Sequence, residues 1–245
     1  MKKLKLILIV VLVAAISCQA PPASTPAPKA SMAVATHTAV TSKIPDDPAI
    51  EKIIKPYREQ LQKEINTVIG KAEVDMVRGN PESLLGDFVT DVILDTARQF
   101  GQVDFAITNN GGLRAPVYKG NITVGNIFEL MPFGNRIVLA KFTGEQVEGL
   151  ITEIVKKGGI PVSGLTIVST GGIVNATVGQ EQFGPIKTYT VATIDYLVKG
   201  GGELQSMWTG KLIKDTHVLL REALIAYVKK HRVIHPQIEG RIIIQ

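Results

Sequence analysis

The sequence predicts an α+β fold, a mixed-sheet α/β sandwich, from three observations. Two long amphipathic stretches lie between residues 48 and 100. The apolar spacing switches to a period of two beyond about residue 160, and helical and strand signals follow one another without a regular repeat. A parallel βαβ domain needs that repeat, so helices packed on mixed sheets remain as the way to bury the apolar faces.

Ile50, Ile53, Ile54, Tyr57, Leu61, Ile65 and Val68 recur at spacings of three and four with Lys, Glu and Gln between them, which predicts a helix over 48–68 closed by Gly70. A second helix is predicted over 81–100. Asn80 is its cap, Pro81 its first residue, and Phe88, Val92, Ile93, Ala97 and Phe100 form its stripe before Gly101. Val103–Thr108 reads as a strand that delivers a Gly-rich turn, and residues 117–124 and 136–142 as further strands. Thr143, with Gln146 three residues on, forms a capping box that opens a helix through Val147, Leu150, Ile151, Ile154 and Val155 to Gly158. Residues 162–169, 173–178 and 189–198 are then strands divided by Gly171-Gly172 and Gly179. Asp215 is read as the cap of a last helix running through Lys230.

The ends of the chain divide it. Residues 1–17 join Lys2, Lys3 and Lys5 to an apolar run from Leu6 to Ile16, the layout of a secretory signal peptide and too short to span a bilayer. Ala15-Ile16-Ser17-Cys18 resembles a bacterial lipobox. Cys18 is the one cysteine of the chain, so it builds no disulfide framework and is expected to carry the lipid. Residues 18–45 are rich in Pro, Ala, Ser and Thr and predict a disordered tether, leaving 46–245 as the folded domain. An exported lipoprotein anchored in the cell envelope is the expected location. The net charge of +5 falls to +2 when the three leader lysines are removed, and the largest basic cluster, Lys229 to Arg232, sits at a helix end. That pattern excludes a nucleic-acid footprint.

Asn109-Asn110-Gly111-Gly112-Leu113-Arg114 follows a strand, where the glycines allow a tight turn, Asn tolerates the left-handed region, and Arg114 offers a planar fork to a phosphate, carboxylate or ring nitrogen. A plain surface turn fits the same six residues. Phe133 lies in the Pro-fixed loop Met131-Pro132-Phe133-Gly134-Asn135, and Tyr196 is read at the end of a strand before Gly200-Gly201-Gly202. Two aromatics on separate loops are suited to hold a flat base between them, although each alone also fits a core position. Asp87, Asp91 and Asp95 lie four apart on one helix face and do not converge on an ion, so a solvated ridge or loop caps are expected. His37, His217, His231 and His235 follow no ligand spacing, and no dinucleotide fingerprint, P-loop or nucleophile elbow is present.

Several ordered blocks carry a family resemblance: Leu85-Gly86-Asp87 through Thr90-Asp91, Asn109 to Arg114, Met131 to Asn135, Val162 to Leu165, Asp195-Tyr196-Leu197 with Gly200-Gly201, and Ile238 to Ile242. Residues 46–244 resemble the C-terminal domain of 5'-nucleotidases, the group that includes periplasmic UDP-sugar hydrolases and the animal ecto-5'-nucleotidase. The resemblance implies that the domain holds a nucleoside while a separate metallophosphoesterase domain binds two metal ions and cleaves the phosphate ester. It places Asn109 and Arg114 on base or ribose and Phe133 and Tyr196 on the two faces of the base, with Gly111, Gly112 and Asn135 in the same loops. Two positions differ from the family pattern. Pro81 stands where members often carry Arg, and Gly202 where they carry the ribose-gripping Asp, with Glu203 one residue late. The sequence holds no Asp-x-His or Gly-Asn-His-Asp/Glu motif of the kind that binds the metal pair. The expectation is therefore a recognition module with no catalytic residue, metal or cofactor of its own, whose ligand is a nucleoside, nucleotide or nucleotide sugar. Divalent metals are expected in a partner metallophosphoesterase chain, in a split hydrolase of nucleotide catabolism. A stand-alone binding lipoprotein and a degenerate scaffold are the other readings.

Overall fold

The computed structural model describes Thr41 and residues 44–245. The predicted signal segment 1–17, Cys18 and nearly all of the predicted tether 18–45 lie outside the described residues. Pro48–Gln245 forms one compact unit.

In chain order this unit runs α1 (Pro48–Ile65), β1 (Val68–Ala72), α2 (Leu84–Arg98), β2 (Phe105–Ile107), β3 (Gly120–Thr123), α3 (Val124–Leu130), β4 (Arg136–Thr143), α4 (Gly144–Lys156) and β5 (Val162–Ser163). It continues β6 (Leu165–Thr170), β7 (Ile173–Val178), β8 (Glu181–Gln182), β9 (Thr188–Ile194), α5 (Asp195–Val198), β10 (Lys211–Leu219), α6 (Leu220–His231), β11 (Val233–Ile234) and β12 (Ile242–Ile244). Three sheets result, ordered β11-β1-β3, β10-β4-β9-β2-β5 and β12-β6-β7-β8, and each mixes parallel with antiparallel pairs. The α+β reading with mixed sheets therefore holds.

The five-stranded sheet is the centre. Ile137 to Ala140 of β4 and Val191 to Ile194 of β9 are buried in unbroken runs, so both faces of these strands are covered, and α2 and α4 are helices that pack on them. The capping box predicted for α4 is present, with Gln146 N donating to Thr143 Oγ1 at 3.3 Å and Thr143 N to Gln146 Oε1 at 2.8 Å. Such a cap contributes about 1 kcal/mol.

Several boundaries differ from the sequence reading, each for a local reason. Val68 belongs to β1 and not to the first helix. Gly70 is no helix stop: it lets β1 approach α6, since a Cβ there would lie 2.6 Å from Val228 Cγ1. The cap of α2 is Ser83, whose Oγ accepts from Gly86 N at 3.2 Å, and not Asn80. A second capping box, Thr123 with Asn126, ends the strand predicted over 117–124 and opens α3. Gly164, at φ +79°, breaks the strand predicted over 162–169 and sends β5 and β6 to different sheets. The strand predicted over 189–198 stops at Ile194. Asp215 lies within β10 and accepts from Arg136 Nε and His217 N, so it caps no helix.

Of the acidic row on α2 only Asp95 is solvated, and Asp87 and Asp91 are tied into the fold. Asp87 is 1% exposed, while Asp91 takes two bonds from Arg241, at 2.8 and 3.0 Å, and one from Ser163 Oγ at 2.6 Å. Arg241 thus ties the C-terminal segment to α2 and, through Val162 O at 3.0 Å, to β5. Burial pushes the Asp87 carboxyl up to about 7, against the pull of Arg241.

An acid whose folded pKa is raised stabilises the fold below its unfolded value near 3.8, and that contribution is lost as pH rises through about 7. Wild-type protein is therefore expected to melt at a lower temperature at pH 8 than at pH 5, with Asp87→Asn flattening the difference. Parallel melting curves for the two proteins at both values would contradict the assignment.

Candidate functional site

Four strand ends of the central sheet meet at one edge. β4 and β9 pair antiparallel with Ile137 opposite Ile194, so the start of β4 lies beside the end of β9. β2 runs parallel to β9 and brings its C-terminal end to the same side, and β5, antiparallel to β2, brings its start. The connections at this edge are the Met131–Asn135 loop, α5, the 109–114 turn and the segment before β5.

These connections enclose a cavity of about 600 Å³. Its walls include all eight residues singled out from the sequence: Asn109, Gly111, Gly112, Arg114, Phe133, Asn135, Tyr196 and Glu203. Asn80, Asn110, Lys157, Gly159, Ile160, Gly202 and Leu204 complete the lining.

The 109–114 turn is built differently from the sequence expectation. Asn109 has φ −101°, and no residue of the turn has positive φ. The glycines instead make room for the Asn109 amide, because a Cβ on Gly112 would lie 3.2 Å from its Oδ1 and one on Gly111 3.3 Å from its Nδ2. Arg114 is exposed, with its backbone N–H on Leu130 O at 2.9 Å and Nη1 3.3 Å from Gly111 O.

Phe133 is 42% exposed, and its loop is held from behind. Arg221 Nη1 donates to the carbonyls of Pro132 and Phe133, each at 3.3 Å, its guanidinium lies 5.0 Å from the Phe128 ring centre, and Leu220 N donates to Asn135 O. Tyr196 is 49% exposed and belongs to the single turn of α5, not to a strand end. Its ring lies on Gly201, where a Cβ would come within 2.3–2.5 Å of three ring carbons. Gly201 N donates to Tyr196 O at 2.8 Å, and Trp208 Nε1 to Gly201 O at 3.2 Å.

The two aromatic supports are bolted together by Arg136 and Asp195. Arg136 N donates to Asp195 Oδ1 at 3.0 Å, and its guanidinium lies 3.5 Å from Asp195 Oδ2 while bonding Asp215. Burial alone would raise the Asp195 carboxyl, but the Arg136 N–H and the Lys199 ammonium hold it below the usual carboxylate range.

Sequence reasoning missed an amide relay in the cavity lining. Asn80 Nδ2 donates to Lys157 O at 3.3 Å, and Asn80 Oδ1 accepts from Asn110 Nδ2 at 2.6 Å. The carbonyl of Lys157 accepts only, so it fixes both amide orientations and leaves Asn110 Oδ1 as the unpaired end. Asn110 Oδ1 and Asn109 Oδ1 are both buried without a hydrogen-bond partner. Pro81 does not line the cavity. Its neighbour Asn80 does, and the Pro81 backbone packs so close to Gly159 that a Cβ on that glycine would lie 2.3 Å from Pro81 O. Gly202 has φ +72°, and Glu203, largely exposed, pairs with Lys157 at 3.7 Å. Among the described residues no group of three or more His, Cys, Asp or Glu is placed to hold a metal ion.

Residues 68–209 match the family described as 5'-nucleotidase, C-terminal domain. The chain belongs to that family. Among relatives of the 5'-nucleotidase C-terminal domain, the UshA protein of Yersinia enterocolitica is 26% identical over 201 residues, which cover 78% of this chain and 36% of that protein. The trifunctional nucleotide phosphoesterase YfkN of Bacillus subtilis is 31% identical over 133 residues, covering 52% of this chain and 8% of its own length. The crystal structure of a 5'-nucleotidase precursor from Thermus thermophilus superposes with a TM-score of 0.69 at 27% identity, over 82% of this chain and 44% of that one. The chain thus spans well under half the length of these relatives.

Gly201→Ala is expected to destabilise the domain by about 1–3 kcal/mol through displacement of the Tyr196 ring. It should also change the emission of Trp208, the single tryptophan of the chain. Unaltered stability and emission would show that the ring is not seated on Gly201.

Proposed function

We propose that this 5'-nucleotidase C-terminal domain holds the nucleoside part of a nucleotide or nucleotide sugar, and that a metallophosphoesterase on a separate chain, carrying the metal ions, cleaves the phosphate ester. The observation that carries this reading is the delivery of two half-exposed rings, Phe133 and Tyr196, to one cavity from adjacent strand ends. A flat heteroaromatic ligand gains most from such a pair. The buried oxygens of Asn109 and Asn110 lack donors, which the N–H groups of a base supply, and Arg114 and Lys157 give the wall the positive charge that suits a phosphorylated ligand. Asn135 and the glycines 111 and 112 shape the wall beside them. Gly202 stands where the family carries its ribose-gripping Asp, and the carboxylate that follows it, Glu203, pairs with Lys157.

In this reading the domain contributes binding and orientation and no proton transfer. The chemical step would belong to the partner, whose metal ions would supply Lewis-acid activation of water for hydrolysis of the phosphate ester. Mixing the protein with an envelope metallophosphoesterase should raise nucleotide hydrolysis above that of either chain alone. No association and no enhancement would remove the split arrangement.

Phe133→Ala and Tyr196→Ala are each expected to weaken adenosine binding by about 1–3 kcal/mol in titration calorimetry, the loss when one face of a stacked base is bared. Their effects should not add, because both rings hold one ligand. Wild-type affinity in both variants together with lowered thermal stability would reassign the rings to structural support.

The location we propose is the cell envelope, through lipid on Cys18. Cys18→Ala should move the protein to the soluble envelope fraction or leave it uncleaved, since stable anchoring needs the acyl chains that this thiol carries. Unchanged membrane fractionation would exclude the anchor.

A further inference from the structure

Part of the cavity lining is built to accept hydrogen bonds and not to give them. Lys157 caps the end of α4, where the helix itself provides no partner for the last carbonyls, and Asn80 Nδ2 supplies the missing donor to Lys157 O at 3.3 Å. The backbone that carries Asn80 is fixed from the same side. Gly159 has φ +103°, and the Pro81 backbone occupies the space that a Cβ on Gly159 would need, so only glycine allows the two segments to meet this closely.

The direction of Asn80 sets that of Asn110. A carbonyl takes a hydrogen bond only from a donor, so the Asn80 amide turns its nitrogen to Lys157 and its oxygen to Asn110. Asn110 Nδ2 donates to that oxygen at 2.6 Å, which leaves Asn110 Oδ1 as a buried acceptor without a donor. Turned over, the Asn110 amide would place oxygen against oxygen. Asn109 Oδ1, next in the chain and in the same lining, is a second buried acceptor without a donor. Two such acceptors ask a ligand for two N–H groups.

The bases differ in what they bring to such a lining. Adenine and cytosine each carry an exocyclic amino group, whose two N–H bonds both donate. Their deaminated counterparts, hypoxanthine and uracil, keep a single ring N–H and have a carbonyl oxygen where the amino group stood. A keto base therefore leaves one buried acceptor of the lining unpaired and brings a further acceptor towards it, and both weaken binding.

We propose, resting on the nucleoside site proposed above, that the cavity selects bases bearing an exocyclic amino group over their deaminated counterparts, with Asn80 as the positioning residue that holds the Asn110 acceptor towards the ligand. Without Asn80 the Asn110 amide is free to turn and offer its N–H groups to a carbonyl. A carboxylate at position 80 keeps an acceptor for Asn110 Nδ2 and so keeps the orientation.

Titration calorimetry of the full chain with adenosine, inosine, cytidine and uridine tests this. Adenosine is expected to bind more tightly than inosine, and cytidine more tightly than uridine, each by about tenfold or more, the consequence of one buried polar group left unpaired. Asn80→Leu should bring both ratios near unity, and Asn80→Asp should preserve them. Asn80 is exposed, so folding, checked by thermal melting, is expected to survive either change, and Asn80→Ala replaces the leucine variant if it does not. The wild-type ratios stand as a test independent of any variant. A wild type that binds each pair equally overturns the selection while leaving a nucleoside site in place, whereas no binding of any of the four overturns that site as well. Asn80→Leu weakening all four nucleosides alike, with unchanged ratios, or Asn80→Asp losing the preference, overturns the positioning role.

Discussion

The antiparallel register of β4 on β9, with Ile137 opposite Ile194, determines where this domain presents its chemistry. Because the start of one strand lies beside the end of the other, the loop before β4 and the turn after β9 emerge together, and each carries one aromatic ring. A one-residue slip would exchange the side chains packed on the two covered faces, so the close packing on both sides holds the register. Arg136 and Asp195 then lock it at the edge itself, one ion pair joining the residue after the Phe133 loop to the residue before Tyr196. The ends of β2 and the start of β5 reach the same edge through their own pairings with the sheet.

The cavity lining offers a ligand two kinds of contact. Phe133 and Tyr196 offer faces, supported by Arg221 and Gly201 respectively. A chain of amides anchored on the Lys157 carbonyl ends in an unpaired oxygen at Asn110. An unpaired buried acceptor costs stability, and residues that tolerate such a cost are commonly ones that recover it when a ligand binds. The Arg241 network with Asp91 lies outside the cavity lining and ties α2, β5 and the C-terminal strand together, which marks it as structural support.

How much of this was legible in the sequence depended on how local the cause was. The α4 capping box, the α2 stripe from Phe88 to Ala97 and the bounds of β7 are set within a few residues and agree with the sequence reading. The Gly-rich turn and the two aromatics were found because turn chemistry and exposed rings leave local marks, and the family resemblance placed them in one site. What escaped was decided at a distance. Val68 continues the helical spacing of the preceding residues but belongs to β1, a strand between β3 and β11, and Asp215 resembles a cap until Arg136, far off in the chain, claims its carboxylate. Asn80 and Lys157 join the site only through tertiary packing, and a single turn such as α5 is too short to leave a period. The glycines at 111 and 112 were identified for a conformation they do not adopt, since it is the Asn109 amide that requires their bareness.

A base held between Phe133 and Tyr196 is the central feature of the proposed site. Proton NMR of adenosine titrated with the protein reports this directly, because aromatic ring currents act on whatever lies against their faces. The base protons should move upfield with increasing protein while the ribose protons move far less, and either alanine substitution should shrink the shift. Base protons that stay in place, or that move equally with Phe133→Ala and Tyr196→Ala, would contradict it.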